Sequence, residues 1–198
     1  MNTRFFAFLT ILIAATLLGF AGLSVLGPQR GAVTTGEALV GGPFTLTAHT
    51  GERVSDATYR GKFMLVIFGF TYCPDVCPTE LQVVAAALDE LGENAADIQP
   101  LFVTIDPARD TAAALATYVK NFHPKLVGLT GTNEEIRKIA AAYRVYYARV
   151  KGGSGADYLM DHSSIIYLMG RDGRFLKHFS FGTDATELAQ GITRAIGG

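Results

Sequence analysis

FMLVIFGFTYCPDVCP, residues 63–78, is the stretch whose reading decides the fold. Its first half, Phe63 to Phe70, is an unbroken apolar run rich in Val, Ile and Phe, bounded by Gly61 and by a Cys-Pro segment. Such a run is too short for a good helix and has no polar face, so it predicts a central strand buried on both sides. Its second half turns away from the strand. Cys73 and Cys77 each precede a proline, whose ring disfavours the α conformation in the residue before it, so both cysteines are expected on a loop. Pro78 suits the first helical position, which would make Cys77 the N-cap and put Glu80 in the first turn. Leu81, Val84, Ala85 and Leu88 then recur at helical spacing and Gly92 follows, predicting a helix from about Pro78 to Leu91.

Outward from this unit the same alternation continues. Upstream, Phe44, Leu46 and Ala48 alternate with Thr45, Thr47 and His49 before the Thr50-Gly51 turn, a half-buried strand. Downstream, Leu101 to Ile105 reads as a strand stopped by Asp106-Pro107, with Asp110 at the N-cap of a helix from Thr111 to about Phe122. Leu126 to Leu129 is a short strand. Thr132 to Glu135 is a capping-box pattern, with Ile136, Ile139 and Ala140 continuing the helical period behind it. Ser163 to Met169, the Asp172-Gly173 turn and Phe175 to Phe181 form an antiparallel hairpin, and Thr183 to Ile196 a closing helix. The pattern predicts an α/β fold, a mixed sheet with helices on both faces.

The chain has 198 residues and a formal net charge of -1, and its acidic and basic residues are mixed throughout. That leaves no basic stripe for a phosphate backbone and excludes nucleic acid as a partner. Residues 5–26 contain no charge, a run longer than the roughly 18 apolar residues that suggest a bilayer span. Residues 1–27 are therefore expected to be an uncleaved membrane anchor, a cleaved signal peptide being the alternative. Residues 28–42, rich in Gly and Thr, read as a flexible tether, and residues 43–198 as the folded domain. Arg4 before the apolar run places the N-terminus in the cytoplasm and the domain outside, most economically a bacterial periplasm.

The two cysteines are the only ones in the chain. A disulfide between positions four apart closes a very small loop and would add comparatively little stability. Thiolates at a helix N-terminus are favoured by its unpaired N–H groups and dipole, and they suit either a soft metal or a reversible dithiol switch. A metal would need more donors. His49, His123, His162 and His178 all remain open as the supplement, His162 having Asp161 beside it as a candidate outer partner.

Cys73-Pro-Asp-Val-Cys77-Pro within Phe68-Gly-Phe-Thr-Tyr resembles the Sco/SenC family. So do Ile105-Asp-Pro-Ala-Arg-Asp110, Leu126-Val-Gly-Leu-Thr-Gly131, Tyr143-Arg-Val-Tyr-Tyr147 and Asp161-His162-Ser163, in the same order. The resemblance runs from about Gly42 to the C-terminus and implies a thioredoxin-like fold behind one N-terminal transmembrane helix. It also implies one copper ion, Cu(I) or Cu(II), held by Cys73, Cys77 and His162. The implied role is assembly of the dinuclear copper centre on subunit II of cytochrome c oxidase, with an upstream copper donor. The implied address is the bacterial inner membrane with the domain in the periplasm, or the mitochondrial inner membrane facing the intermembrane space. Zinc would accept the same donors. The segment from Tyr146 to Met160 is expected to be an irregular loop whose movement gates copper release.

Two enzymatic readings compete. A thiol:disulfide reductase would use Cys73 and Cys77 as its catalytic pair, although the thioredoxin motif has one residue fewer between its cysteines. A peroxidase is suggested by Cys77-Pro-Thr-Glu, which resembles the peroxiredoxin segment, but Pro74 stands where that family has its peroxide-orienting Thr. Asp106, Arg109 and Asp110 carry structural explanations: a strand end, an ion pair and a helix cap.

Overall fold

The run from Phe63 to Gly69 forms strand β3, and its side chains divide by parity: Met64, Val66 and Phe68 enter one apolar cluster, Leu65 and Ile67 another. A strand buried on both faces needs apolar residues at every position, which is why the sequence shows no alternation there. The computed structural model describes residues 40–150 and 158–197. The expected anchor, most of the tether and residues 151–157 lie outside them. Among the described residues no helix is long and apolar enough to cross a membrane.

Strands β1 (Thr45–Ala48), β2 (Arg53–Ser55), β3, β4 (Ile98–Thr104), β5 (Val127–Thr130), β8 (Ile165–Met169) and β9 (Phe175–Ser180) form one sheet in the order β2-β1-β5-β4-β3-β8-β9. The centre, β3 with β4 and β4 with β5, is parallel, and the flanking pairs are antiparallel. Helices α1 (Val76–Leu91), α2 (Ala112–Val119) and α4 (Ala185–Ile196) contribute Leu81, Val84, Leu88, Leu115, Leu188 and Ile192 to the cluster on one face. Helix α3 (Asn133–Ala142) contributes Ile136, Ile139 and Ala140 to the other. This is the mixed sheet with helices on both faces that the pattern predicts, and it is thioredoxin-like. The capping box at Thr132 and Glu135 is formed.

Three local expectations are corrected. Helix α1 begins at Val76 with Asp75 at its N-cap, so Cys77 lies inside the first turn rather than capping it. First-turn amides have no intrahelical acceptor, so Pro78 is tolerated there and the pre-proline preference of Cys77 is overridden. Helix α2 is capped by Thr111, whose side chain accepts from the Ala114 N–H; Asp110 is used elsewhere. The segment read as an irregular loop holds β6 (Tyr147–Arg149) and the start of β7 (Met160–His162), which pair as a two-stranded sheet, and His162 ends β7. Just before the first strand, the Gly41 N–H donates to the Ala142 carbonyl at 2.9 Å.

Candidate metal centre

The sheet topology brings the cysteine segment and the histidine segment to one edge. β3 ends at Gly69 and passes directly into the cysteine loop, while β8, antiparallel to β3 with Ile67 opposite Ile166, begins just after His162. Cys73, Cys77 and His162 are thereby brought together, with His162 Nε2 3.5 Å from Cys77 Sγ. The ring of His162 meets Phe70 edge-on at 6.1 Å between centroids. Cys73 and His162 line a cleft of about 220 Å³ with Phe70, Leu159 and Met160.

The other three histidines are engaged elsewhere. His49 Nδ1 accepts from the Gly128 N–H, His123 Nδ1 accepts from the Lys125 N–H, and His178 stacks on Phe175. His162 is oriented by its neighbour: Nδ1 lies 3.1 Å from the Ser163 carbonyl oxygen, which only accepts, so Nδ1 carries the proton. In the neutral ring Nε2 then keeps its lone pair toward the sulfurs, the arrangement a metal-binding imidazole requires. Asp161, expected as the outer partner, is exposed, and the Ser163 backbone has that role.

The two thiols are unlike. Cys73 is half-buried and Cys77 fully buried, and no disulfide joins them. A hydrogen bond from the Cys77 thiol, with further ones from the His162 ring in its doubly protonated form and from the Cys77 and Asp75 amides, holds the Cys73 thiol down at about 4 against the opposing effect of burial. The Cys77 N–H donates to Cys73 Sγ at 3.3 Å, so the helix N-terminus stabilises a thiolate on Cys73. The same pairing, reinforced by burial, pushes Cys77 up. Burial alone would lower His162, but Cys73, the Ser163 carbonyl and Glu80 together raise it.

Several residues around this site were not legible in advance. Glu80 is 4% exposed, and neither carboxylate oxygen has a hydrogen-bond partner among the described residues. Desolvation pushes it up to about 7, His162 opposing and Cys73 adding to the shift. Its place one helical turn after Cys77 was the available signal. Gly69 leaves room for Cys77: a Cβ there would stand 2.9 Å from Cys77 Sγ and 2.7 Å from the Phe102 ring. Asp110 is wholly buried and ties the cysteine loop to β4, accepting from the Thr71 N–H at 3.0 Å, the Thr71 hydroxyl at 2.6 Å and the Thr104 hydroxyl at 2.6 Å. The ion pair expected of Arg109 is made with Asp106.

A pair of thiolate-forming sulfurs with an imidazole nitrogen facing them is a donor set for a soft or borderline metal such as copper or zinc. Among the described residues no group of three or more His, Cys, Asp or Glu side chains is disposed to hold a metal ion as it stands.

Residues 32–197 match the sequence profile of the SCO1/SenC family. The chain is 51% identical over 159 residues to "Protein SCO1 homolog, mitochondrial" of Homo sapiens, covering 79% of this chain and 53% of that protein. It thus spans about half the length of the first curated relatives it matches. Among solved structures, Arabidopsis thaliana ScoI with copper bound superposes with a TM-score of 0.75 at 44% identity, covering 79% of this chain and 97% of that one. Bradyrhizobium japonicum ScoI with copper bound superposes with a TM-score of 0.73 at 42% identity, covering 79% and 99%.

Proposed function

The chain belongs to the SCO1/SenC family, and on that premise we propose that it is a copper metallochaperone whose cargo is held by Cys73, Cys77 and His162. The observation that carries this reading is the approach of His162 Nε2 to within 3.5 Å of Cys77 Sγ, with Nδ1 committed to a backbone carbonyl. Thiolates favour Cu(I), and an imidazole added to them also accommodates Cu(II). Copper-bound relatives from a plant and a bacterium support copper over zinc. The acceptor is the dinuclear copper centre on subunit II of cytochrome c oxidase, and an upstream donor loads the site. Tyr72, Tyr146 and Leu159 are exposed beside the ligands and supply apolar surface for these partners. Residues 1–27 anchor the chain, and the domain from residue 43 faces the periplasm of a bacterium. The intermembrane space of a mitochondrion is the alternative, relatives of both origins being similar.

The test is stoichiometry and affinity. The reduced full-length chain binds one equivalent of Cu(I), and His162→Ala binds it at least about tenfold more weakly, no less than the loss typical of removing a partner that merely orients a metal ligand. Unchanged affinity in His162→Ala would sink the three-donor reading.

The inequality of the two thiols favours a second reading, reduction of the acceptor's cysteines. The Cys73 thiolate attacks a partner disulfide, forming a mixed disulfide and releasing one partner thiolate. Cys77 then loses its proton, displaces the second partner thiolate and leaves Cys73–Cys77 oxidised; the partner gains two electrons, and its two thiolates take up the Cys77 proton and one more from water. Reductase turnover that survives His162→Ala supports this reading.

A further inference from the structure

We infer that Arg109 is a positioning residue that holds the strand carrying His162 over the cysteine loop, by clamping Tyr158 with Asp106. This rests on the copper reading above and extends it to residues that touch no metal donor.

The β6–β7 ribbon needs such a device. It is a separate two-stranded sheet, not a continuation of the main one, and each strand has three residues. An isolated ribbon of that size is marginally stable at best. At its His162 end it is fastened by the Ser163 N–H donating to the Tyr146 carbonyl at 3.0 Å and by the chain entering β8. At its other end the fastening is Tyr158, four positions before His162.

Tyr158 is 9% exposed and is gripped through hydroxyl, carbonyl and ring together. Its hydroxyl donates to Asp106 Oδ1 at 2.6 Å. Its carbonyl accepts from Arg109 Nη1 at 2.9 Å. Over its ring lie two guanidinium carbons, that of Arg109 at 3.7 Å from the centroid and that of Arg149 at 3.5 Å. Arg109 Nε in turn donates to Asp106 Oδ2. The same guanidinium is 4.5 Å from the ring of Tyr72, the residue before Cys73.

One planar cation therefore touches the segment leading to His162 and the segment leading to Cys73. It stands on the β4–α2 connection, which Asp110 fixes to Thr71 of the cysteine loop. An ion pair between Arg109 and Asp106 alone would require none of the contacts to Tyr158 and Tyr72. A guanidinium is suited to this joint because it can donate in its plane to a carboxylate and a carbonyl while its faces lie against aromatic rings. A lysine ammonium, a compact point charge without a planar fork, cannot do both in this geometry.

The experiment compares wild type, Arg109→Met, His162→Ala and the double variant, all as full-length chains in detergent, by two measurements. The first is amide hydrogen exchange of the reduced, metal-free protein. Arg109→Met is expected to speed exchange at Ser163 and along β7 by about tenfold or more while amides of β3 and α1 keep their protection. Unchanged protection of β7 overturns the clamp, as does equal loss of protection throughout the domain.

The second is Cu(I) affinity, by competition with a chromophoric chelator. Arg109→Met is expected to weaken binding about 10- to 100-fold, the range for partners that orient a metal ligand. That loss should vanish when His162 is already alanine. No loss, or the same loss in the His162→Ala background, overturns the claim that Arg109 acts through His162. Should Arg109→Met fail to fold, Tyr158→Phe removes only the hydroxyl grip and carries both comparisons with smaller effects. If His162→Ala alone leaves affinity unchanged, the copper reading fails, and the exchange measurement still decides the clamp.

Discussion

Gly69 and Cys77 are packed so closely that a methyl group on Gly69 would stand 2.9 Å from the Cys77 sulfur. On its other side the same methyl would meet the Phe102 ring at 2.7 Å, and Phe102 is fully buried in the core. Neither neighbour is the free end of a flexible side chain. The last residue of β3 thus fixes how deeply the more buried sulfur can sit, and through it the distance to His162.

Gly69→Ala is accordingly expected to destabilise the domain by about 1–3 kcal/mol, the usual cost of inserting a methyl group into a filled interior. Denaturant unfolding of the reduced, metal-free chain measures this. Cu(I) affinity should fall as well, because Cys77 is displaced. Wild-type stability in the variant would mean that the strand end has more room than the packing indicates.

Asp110→Ala removes a carboxylate that accepts three hydrogen bonds, two from Thr71 and one from Thr104. Desolvation raises its pKa, and the hydrogen bonds from Thr104 and Thr71 oppose that shift. Its loss leaves the Thr71 amide and two hydroxyls without their acceptor, at about 1–3 kcal/mol for each group that stays buried and unsatisfied. The expected result is a lower unfolding midpoint together with faster hydrogen exchange at Thr71. A variant whose midpoint matches wild type would contradict this account of the residue.

Glu80→Gln should alter the pH dependence of stability. The folded pKa of about 7 lies above the ordinary value of 4.5, so between these limits the folded chain holds more protons than the unfolded one. Stability therefore falls as pH rises from about 4.5, and the loss levels off above about 7, reaching on the order of 3 kcal/mol. Glutamine carries no such charge. Thermal melts of the apo protein should show little gain for the variant at pH 5 and a clear gain at pH 8. An identical difference between variant and wild type at the two pH values would refute the buried-carboxylate explanation.

What could be read from the sequence divides by distance along the chain. β3, α1 and α3 declare themselves through local periodicity and caps, and Thr132 with Glu135 needs only three intervening steps to be seen. β6 and β7 escaped because strands of three residues leave no alternation to recognise. The start of α1 was misplaced because a preference of the residue before proline yields when that residue lies in a first turn. Asp110 looked like a cap because its true partner, Thr71, is 39 positions away. Tyr158, 52 positions from Asp106, gave no local sign of its role. The two cysteines announce reactive chemistry unaided. Choosing among four histidines needs either the family resemblance or the pairing of β3 with β8, since nothing adjacent to His162 distinguishes it strongly.

That strand pairing has a further consequence for the newly made chain. Cys73 and Cys77 are neighbours in any conformation, but His162 reaches them only after β8 has aligned with β3, which closes a loop of about 100 residues at a corresponding entropic cost. In the unfolded chain the two sulfurs form a bare dithiol. The imidazole joins it when the sheet is complete, so its arrival reports that folding has finished.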